Sequence, residues 1–214
     1  MTSGIRKRRA LTLATLSLAP AICFGALDVA QLLAKLARPA PATTSFVEAR
    51  FSKLLVEPLV VKGQLEYHED GALVRAVSEP FRERTEIKGD TVTIERVGKS
   101  PRRFALSRAP ELRSMLAGFG AVLGGTRAKL ERDFELAATG DTTHWRLAMT
   151  PKLPALAKYV RNIVMEGHEG EPRCVVVTQP DDEASVMVVG NAAAGPLPQP
   201  LTRESLERFC ASQG

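Results

Sequence analysis

Residues 60–98, VVKGQLEYHEDGALVRAVSEPFRERTEIKGDTVTIERVG, decide the fold. Apolar and polar residues alternate along short runs of this stretch, so that Leu65 and Tyr67 share one face while Gln64 and Glu66 share the other. The turn signals HEDG, EP and GD separate the runs. Period-two alternation with regular tight turns is typical of an antiparallel meander that has one apolar and one polar face. Such a sheet must cover its apolar face, and what covers that face decides the function.

The rest of the chain adds strands and a few helices to this meander. Apolar residues at helical spacing predict a helix in LDVAQLLAKLA, an amphipathic helix over residues 110–125 and a short final helix in LTRESLERFCA. Alternation from Phe51 onward predicts the first strand, which leads into a strand over residues 59–67. Roughly ten strands, with helices inserted between them rather than alternating with them, predict an α+β fold built on an antiparallel sheet.

The first 25 residues have the features of a signal peptide. The basic cluster Arg6-Lys7-Arg8-Arg9 precedes an apolar run that ends in small residues, with Cys23 and Gly25 at suitable positions for cleavage before Ala26. An uncleaved membrane anchor is the alternative, although the run is short for a spanning helix. We therefore expect residues 1–25 to be a cleaved signal peptide, residues 26–214 to be one domain, and the protein to be periplasmic.

Export changes the meaning of the net charge. The formal charge of +5 and the pI of 9.3 include the four basic residues of the N-terminal cluster, and no acidic residue precedes Ala26. The mature chain is close to neutral and lacks the basic patch with interleaved aromatics that nucleic-acid binding needs. We therefore expect no nucleic-acid partner.

Two cysteines remain after cleavage, Cys174 and Cys210. In an oxidising compartment a distant pair of this kind favours a disulfide that ties the C-terminus to the sheet. Because Cys174 lies inside the apolar run CVVVT, two buried free thiols are the alternative.

The search for catalytic and metal-binding motifs finds none. The three histidines belong to no HExxH arrangement, there is no CxxC pair, and no GxSxG motif is present. We therefore expect no enzyme activity, no cofactor and no metal. An envelope hydrolase with unrecognised catalytic groups and a structural interaction module with a filled core are the alternatives.

A curved apolar sheet under an amphipathic helix encloses a dry cavity. An acyl chain suits such a cavity, because each buried methylene contributes about 0.8 kcal/mol. From the pattern alone, the alternative is that the same residues fill an ordinary core.

Four features of the mature chain resemble the LolA-like family of periplasmic outer-membrane lipoprotein carriers. They are the strand with Phe46 and Phe51, the Gly63-x-Leu65 strand, the strand from Arg75 to Pro80, and the Gly89-Asp90 turn. FELAATGDTTHWRLAMTPK and PDDEASVMVVG are similar to the family's second half. Where the family commonly has a tryptophan after the strand arginine, this chain has Ala76.

This resemblance implies an incomplete β-barrel around a hydrophobic cavity, with helices covering the apolar concave face. It also implies a monomeric carrier that takes an acylated lipoprotein from an inner-membrane donor complex to an outer-membrane acceptor. A paralogue that carries another lipid-like molecule is the alternative.

The predicted ligand-binding residues form a cavity wall and a lid. The wall residues are Phe51, Leu65, Tyr67, Val77, Val92, Ile94, Phe104, Trp145 and Leu147, and the lid residues are Met115, Leu116 and Phe119. Arg75 is expected to be an inward polar group that orders the lid or meets a head group.

Overall fold

Eleven antiparallel strands form one sheet in the computed structural model of the protein, which describes residues 27–108 and 127–212. The strands are β1 (Ala42–Phe51), β2 (Leu59–Tyr67), β3 (Leu73–Glu79), β4 (Glu83–Lys88), β5 (Thr91–Arg96), β6 (Arg102–Ala105), β7 (Phe134–Gly140), β8 (His144–Pro151), β9 (Asn162–His168), β10 (Glu171–Thr178) and β11 (Ala184–Val189). The helices are α1 (Val29–Leu36), α2 (Arg127–Asp133), α3 (Pro154–Ala157), α4 (Asn191–Ala194) and α5 (Arg203–Ala211), with a 3₁₀ turn at Leu106–Arg108. The predicted signal peptide and the predicted helix over residues 110–125 lie outside the described residues.

The sheet is two meanders joined through the first and last strands. Its order is β6-β5-β4-β3-β2-β1-β11-β10-β9-β8-β7, so β1 pairs with β2 on one side and with β11 on the other. Strands β6 and β7 are the two edges, and they do not pair with each other. The predicted α+β fold with an incompletely closed antiparallel sheet is confirmed.

The position of the first strand was predicted wrongly. Strand β1 ends at Phe51 instead of beginning there, and the chain that follows it, residues 52–58, is a connection to β2. The apolar residues Leu54 and Val56 imitate the alternation of a strand, but their side chains are exposed.

Two faces of the sheet carry separate apolar clusters. One face, here called the inner face, includes Phe46, Met187 and Leu147 and packs against α1 and α2. The outer face includes Ala49 and Val186 and packs against α5. Because successive side chains point to opposite faces of a strand, β1 supplies both clusters from neighbouring positions.

A glycine permits the close approach of β2 to β3. The register shifts between Lys62 and Gly63, which marks a β-bulge. A Cβ atom on Gly63 would lie 1.9 Å from the backbone carbonyl oxygen of Ala76, so no larger residue fits. The tight β4–β5 turn likewise uses Gly89, at φ 58°.

Helix α5 is fixed to the outer face by three interactions. Its N-terminus has a capping box, in which Thr202 and Ser205 exchange side-chain-to-backbone hydrogen bonds of 3.0 Å. Leu206 is buried on the sheet, and Cys210 forms a disulfide with Cys174 of β10. Of the two alternatives for these cysteines, the structure has the disulfide.

We predict that the double variant C174S/C210S loses about 3–4 kcal/mol of unfolding free energy. The disulfide closes a loop over a sequence separation of 36 residues, and removing it increases the entropy of the unfolded chain. Urea unfolding, with and without reductant, measures this loss. Reductant should lower the unfolding free energy of the oxidised parent and leave that of the variant unchanged. Equal unfolding free energies of the oxidised parent and the variant would contradict the prediction.

Candidate functional site

The inner face has two parts that differ in how they are covered. In the part formed by β7–β11, leucines of α1 and Leu130 of α2 fill the space over the sheet. The predicted wall residues Trp145 and Leu147 belong here, at 3% and 0% exposure. The Trp145 ring lies against Gly167, and its Nε1 donates a 2.9 Å hydrogen bond to the carbonyl of Glu169. These two residues are part of a packed core, so their assignment to an open wall was wrong.

The part formed by β2–β6 is the candidate site. The strand register places its inner side chains in two rows that run across the strands. The first row is Leu65, Arg75, Thr85, Ile94 and Arg102, and the second row is Tyr67, Leu73, Ile87, Val92 and Phe104. Val77 lies on the same face beside the first row, opposite Gly63 and Glu83. Six predicted wall residues are therefore brought together on this face: Leu65, Tyr67, Val77, Val92, Ile94 and Phe104.

Side chains on this part of the inner face are covered unevenly. Val77 and Val92 are buried, whereas Leu65, Tyr67 and Ile94 are only partly buried. Of these, Leu65 packs at the border of the inner core cluster. The second row is apolar on all five strands, whereas the first row contains Arg75, Thr85 and the exposed Arg102. The β2–β6 part of the face is therefore less completely buried than the β7–β11 part.

A buried ion pair joins Arg75 of the first row to Glu48 of β1, at the boundary with the packed part. The Arg75 guanidinium donates to the Glu48 carboxylate, and the two residues are 9% and 2% exposed. The guanidinium also lies over the Phe46 ring, 4.9 Å from its centroid. Arg50, whose side chain is about half exposed, donates to the same carboxylate through Nε at 2.9 Å. Two arginines therefore share one buried carboxylate, which leaves the group with a net positive charge.

The pKa of Glu48 reflects two opposing effects. Burial raises the pKa of this carboxyl, but the charges and hydrogen bonds of Arg75 and Arg50 lower it by more, so it lies below its ordinary value. Glu48 is therefore ionised at neutral pH. The Arg75 Nε is buried and has no acceptor in the part of the chain that the structure describes.

Two groups of predicted site residues are not in the rows. Phe51 lies on the outer face, where it packs with the cluster under α5, because it stands five positions after the inward Phe46 and three after the inward Glu48. Its assignment to the cavity wall was wrong. The predicted lid residues Met115, Leu116 and Phe119 lie outside the described residues.

Sequence reasoning missed Glu48. Glu48 stands two residues after Phe46 in the run TSFVEARF, so alternation alone places its side chain on the same face as Phe46. Its charge argued for a solvated position, and only the β1–β2–β3 register shows that Arg75 can reach it.

A match to a family model gives the family of this chain. Residues 21–212 match the model of the family described as "Outer membrane lipoprotein carrier protein LolA-like". The chain belongs to this LolA-like family. The resemblance seen in the sequence is confirmed, and no curated protein matches the chain.

Solved structures similar to this LolA-like chain are distant in sequence. The LolA superfamily protein NE2245 from Nitrosomonas europaea is 13% identical, with a TM-score of 0.44 over 85% of this chain and 100% of that one. LprF from Mycobacterium bovis is 14% identical, with a TM-score of 0.37 over 83% and 100%. A chain of the Pseudomonas aeruginosa MucA/MucB complex is 14% identical, with a TM-score of 0.36 over 82% of this chain and 61% of that one. The family assignment therefore depends on the family match alone.

Two further observations concern the described residues only. None of their helices has the length and apolar character to cross a membrane. No three of their histidine, cysteine or acidic side chains come together as metal ligands.

We predict that E48Q lowers the unfolding free energy by about 3–5 kcal/mol at neutral pH, because it leaves the buried Arg75 charge without its partner. The native pKa of Glu48 is depressed, so this contribution is complete above the unfolded-state pKa of about 4.3 and is lost as the pH falls through the native pKa. Urea unfolding of parent and variant from neutral to acidic pH measures the difference.

Matched variants separate burial from charge. R50Q should cost less than about 1 kcal/mol because Arg50 is half exposed, and E48Q/R75M should recover most of the loss because no buried charge remains. A pH-independent difference between E48Q and parent would contradict the assignment.

Proposed function

We propose that this protein is a periplasmic carrier that binds the acyl chains of a lipoprotein or lipid-like cargo on the inner face of β2–β6. In this proposal a cleavable signal peptide exports residues 26–214 as a monomer. The carrier receives its cargo from an inner-membrane donor complex and delivers it to an outer-membrane acceptor. Membership of the LolA-like family supports the carrier role.

The observation that carries the proposal is the contrast between the two parts of one face. Side chains of the β7–β11 part, such as Leu147 and Met165, are fully buried under α1. Leu65, Tyr67 and Ile94 lie on the same face yet remain partly exposed. An acyl chain laid along the rows would bury this surface, at about 25 cal/mol for each Å² of apolar area.

Arg75 gives the site a polar end. Its guanidinium is held by Glu48 and Phe46, while Nε has no acceptor among the described residues. A buried donor without an acceptor is unfavourable, so an ester carbonyl or carboxylate of the cargo would be stabilised there. Arg75 would therefore position the head group, and the rows would hold the chain.

We predict that protein isolated from the envelope of a Gram-negative host retains lipid mass in native mass spectrometry. Replacing inner-face residues by aspartate, in L65D/I94D, should abolish that mass because charge is strongly unfavourable against an acyl chain.

The control is T93D, which places one aspartate on the outer face of β5, one residue from Ile94. T93D should keep the lipid mass. An unchanged mass in folded L65D/I94D, or no lipid in the parent, would contradict the proposal.

A further inference from the structure

All the exposed large hydrophobic residues of the described chain lie at one end of the sheet. We call this end the apolar rim; it consists of the strand connections 52–58, 80–82, 97–101, 152–161 and 179–183, with the adjoining first residue of β2. The exposed residues are Leu54, Leu55, Val56, Leu59, Val97, Leu153 and Tyr159. Because all strands are antiparallel, alternate connections share an end, so these residues from separate connections surround one end of the open sheet.

The opposite end has the reverse character. Its strand connections, residues 68–72, 89–90, 141–143 and 169–170, carry no exposed large hydrophobic residue. They contain five acidic residues and no lysine or arginine. The connections of the apolar rim contain six basic and four acidic residues, a net charge of +2. The strand connections therefore differ along the strand direction: those of the apolar rim are apolar and weakly basic, and those of the opposite end are acidic. Lys88, paired with Asp70, and Arg38, which donates to the Gly170 carbonyl, offset part of that negative charge.

Hydrogen bonds at the base of the connection 52–58 hold its apolar residues in exposed positions. Leu54 and Val56 are 91% and 104% exposed. Their connection is held in place because the Leu55 amide donates to the Ser52 carbonyl at 3.0 Å, and the Ser52 hydroxyl donates to Glu183 in the neighbouring connection. The backbone is therefore tied to the sheet at its base, and its apolar side chains point away from both core clusters.

The partner that fits this end best is a planar surface with anionic groups on the outside and an apolar layer beneath them. Apolar tips on several separate connections, with basic residues such as Lys53, Lys99 and Lys158 between them, match the boundary between head groups and acyl chains. The acidic end would be repelled by the same surface.

We propose that the apolar rim docks on an anionic phospholipid bilayer, with Leu54 and Val56 inserted among the lipid chains. This interaction surface is separate from the cargo site, since none of the exposed rim residues lies in the two rows of β2–β6. Substitutions at the rim leave the rows unchanged, so their effect on vesicle binding tests this surface independently of the proposed carrier function.

The test is co-sedimentation of the full protein, as isolated from the envelope, with vesicles of phosphatidylglycerol and phosphatidylethanolamine, and with vesicles of phosphatidylcholine alone. We expect binding to the anionic vesicles and much weaker binding to the neutral ones. L54S/V56S should weaken the partition at least about tenfold, because two fully exposed side chains no longer enter the apolar layer. Mass spectrometry identifies the N-terminus, so that parent and variant are compared with the same first residue.

L54I/V56I is the matched control, because it keeps the apolar surface at the same positions and should bind as the parent does. Fully exposed side chains contribute little to folding, so the unfolding midpoint of each variant should equal that of the parent. Absence of parent binding to anionic vesicles, or equal binding by folded L54S/V56S, would overturn the proposal. So would a parent dimer in light scattering that L54S/V56S converts to a monomer, because the rim would then be an interface between copies.

Discussion

The hydrogen-bonded pairing of β1 with β11 is the constraint on which the rest of the structure depends. It runs from Phe46 opposite Val189 to Phe51 opposite Ala184, and it joins two meanders that would otherwise be separate sheets. Because β1 is then internal and covered on both faces, four consecutive residues from Phe46 to Ala49 are buried, including the charged Glu48. The same pairing leaves β6 and β7 as the edges, so the sheet stays open.

The unequal covering of the inner face follows from where the helices attach. Helices α1 and α2 pack over β7–β11, and the core cluster extends across β1 only as far as Val61 and Val77. At this border lies the Glu48–Arg75 pair, which is unfavourable to bury unless its charges are compensated. A continuation of the aliphatic core would be at least as stable there, so the pair is consistent with a boundary between a region that stays packed and a region that binds.

Period-two alternation was enough to predict the β2–β5 meander and which of its side chains point inward. It failed after Phe51, where exposed apolar residues at the rim look like a buried strand. Alternation also cannot tell a packed inner position such as Trp145 from a half-covered one such as Ile94, because that depends on where α1 lies.

Contacts between side chains far apart in the sequence could not be predicted, for a related reason. Arg75 and Glu48 are 27 residues apart in sequence. They meet because β1 and β3 both pair with β2, one on each side, and the register puts the two side chains on the same face. His144 and His168, which are 24 residues apart in sequence, face each other across β8 and β9 with ring centroids 4.8 Å apart. Both contacts depend on strand register, which bulges such as that at Gly63 can shift by one residue.

The central claim is that the inner face of β2–β6 receives an apolar ligand while the rest of that face is permanent core. Methyl NMR with a nitroxide-labelled fatty acid tests this most directly, since the label broadens only the signals close to it. The account predicts broadening of Leu65, Val77 and Ile94, little change at Leu147 and Val175, and none at the outer-face Val186. Broadening confined to the outer face, or no broadening at saturating ligand, would contradict it.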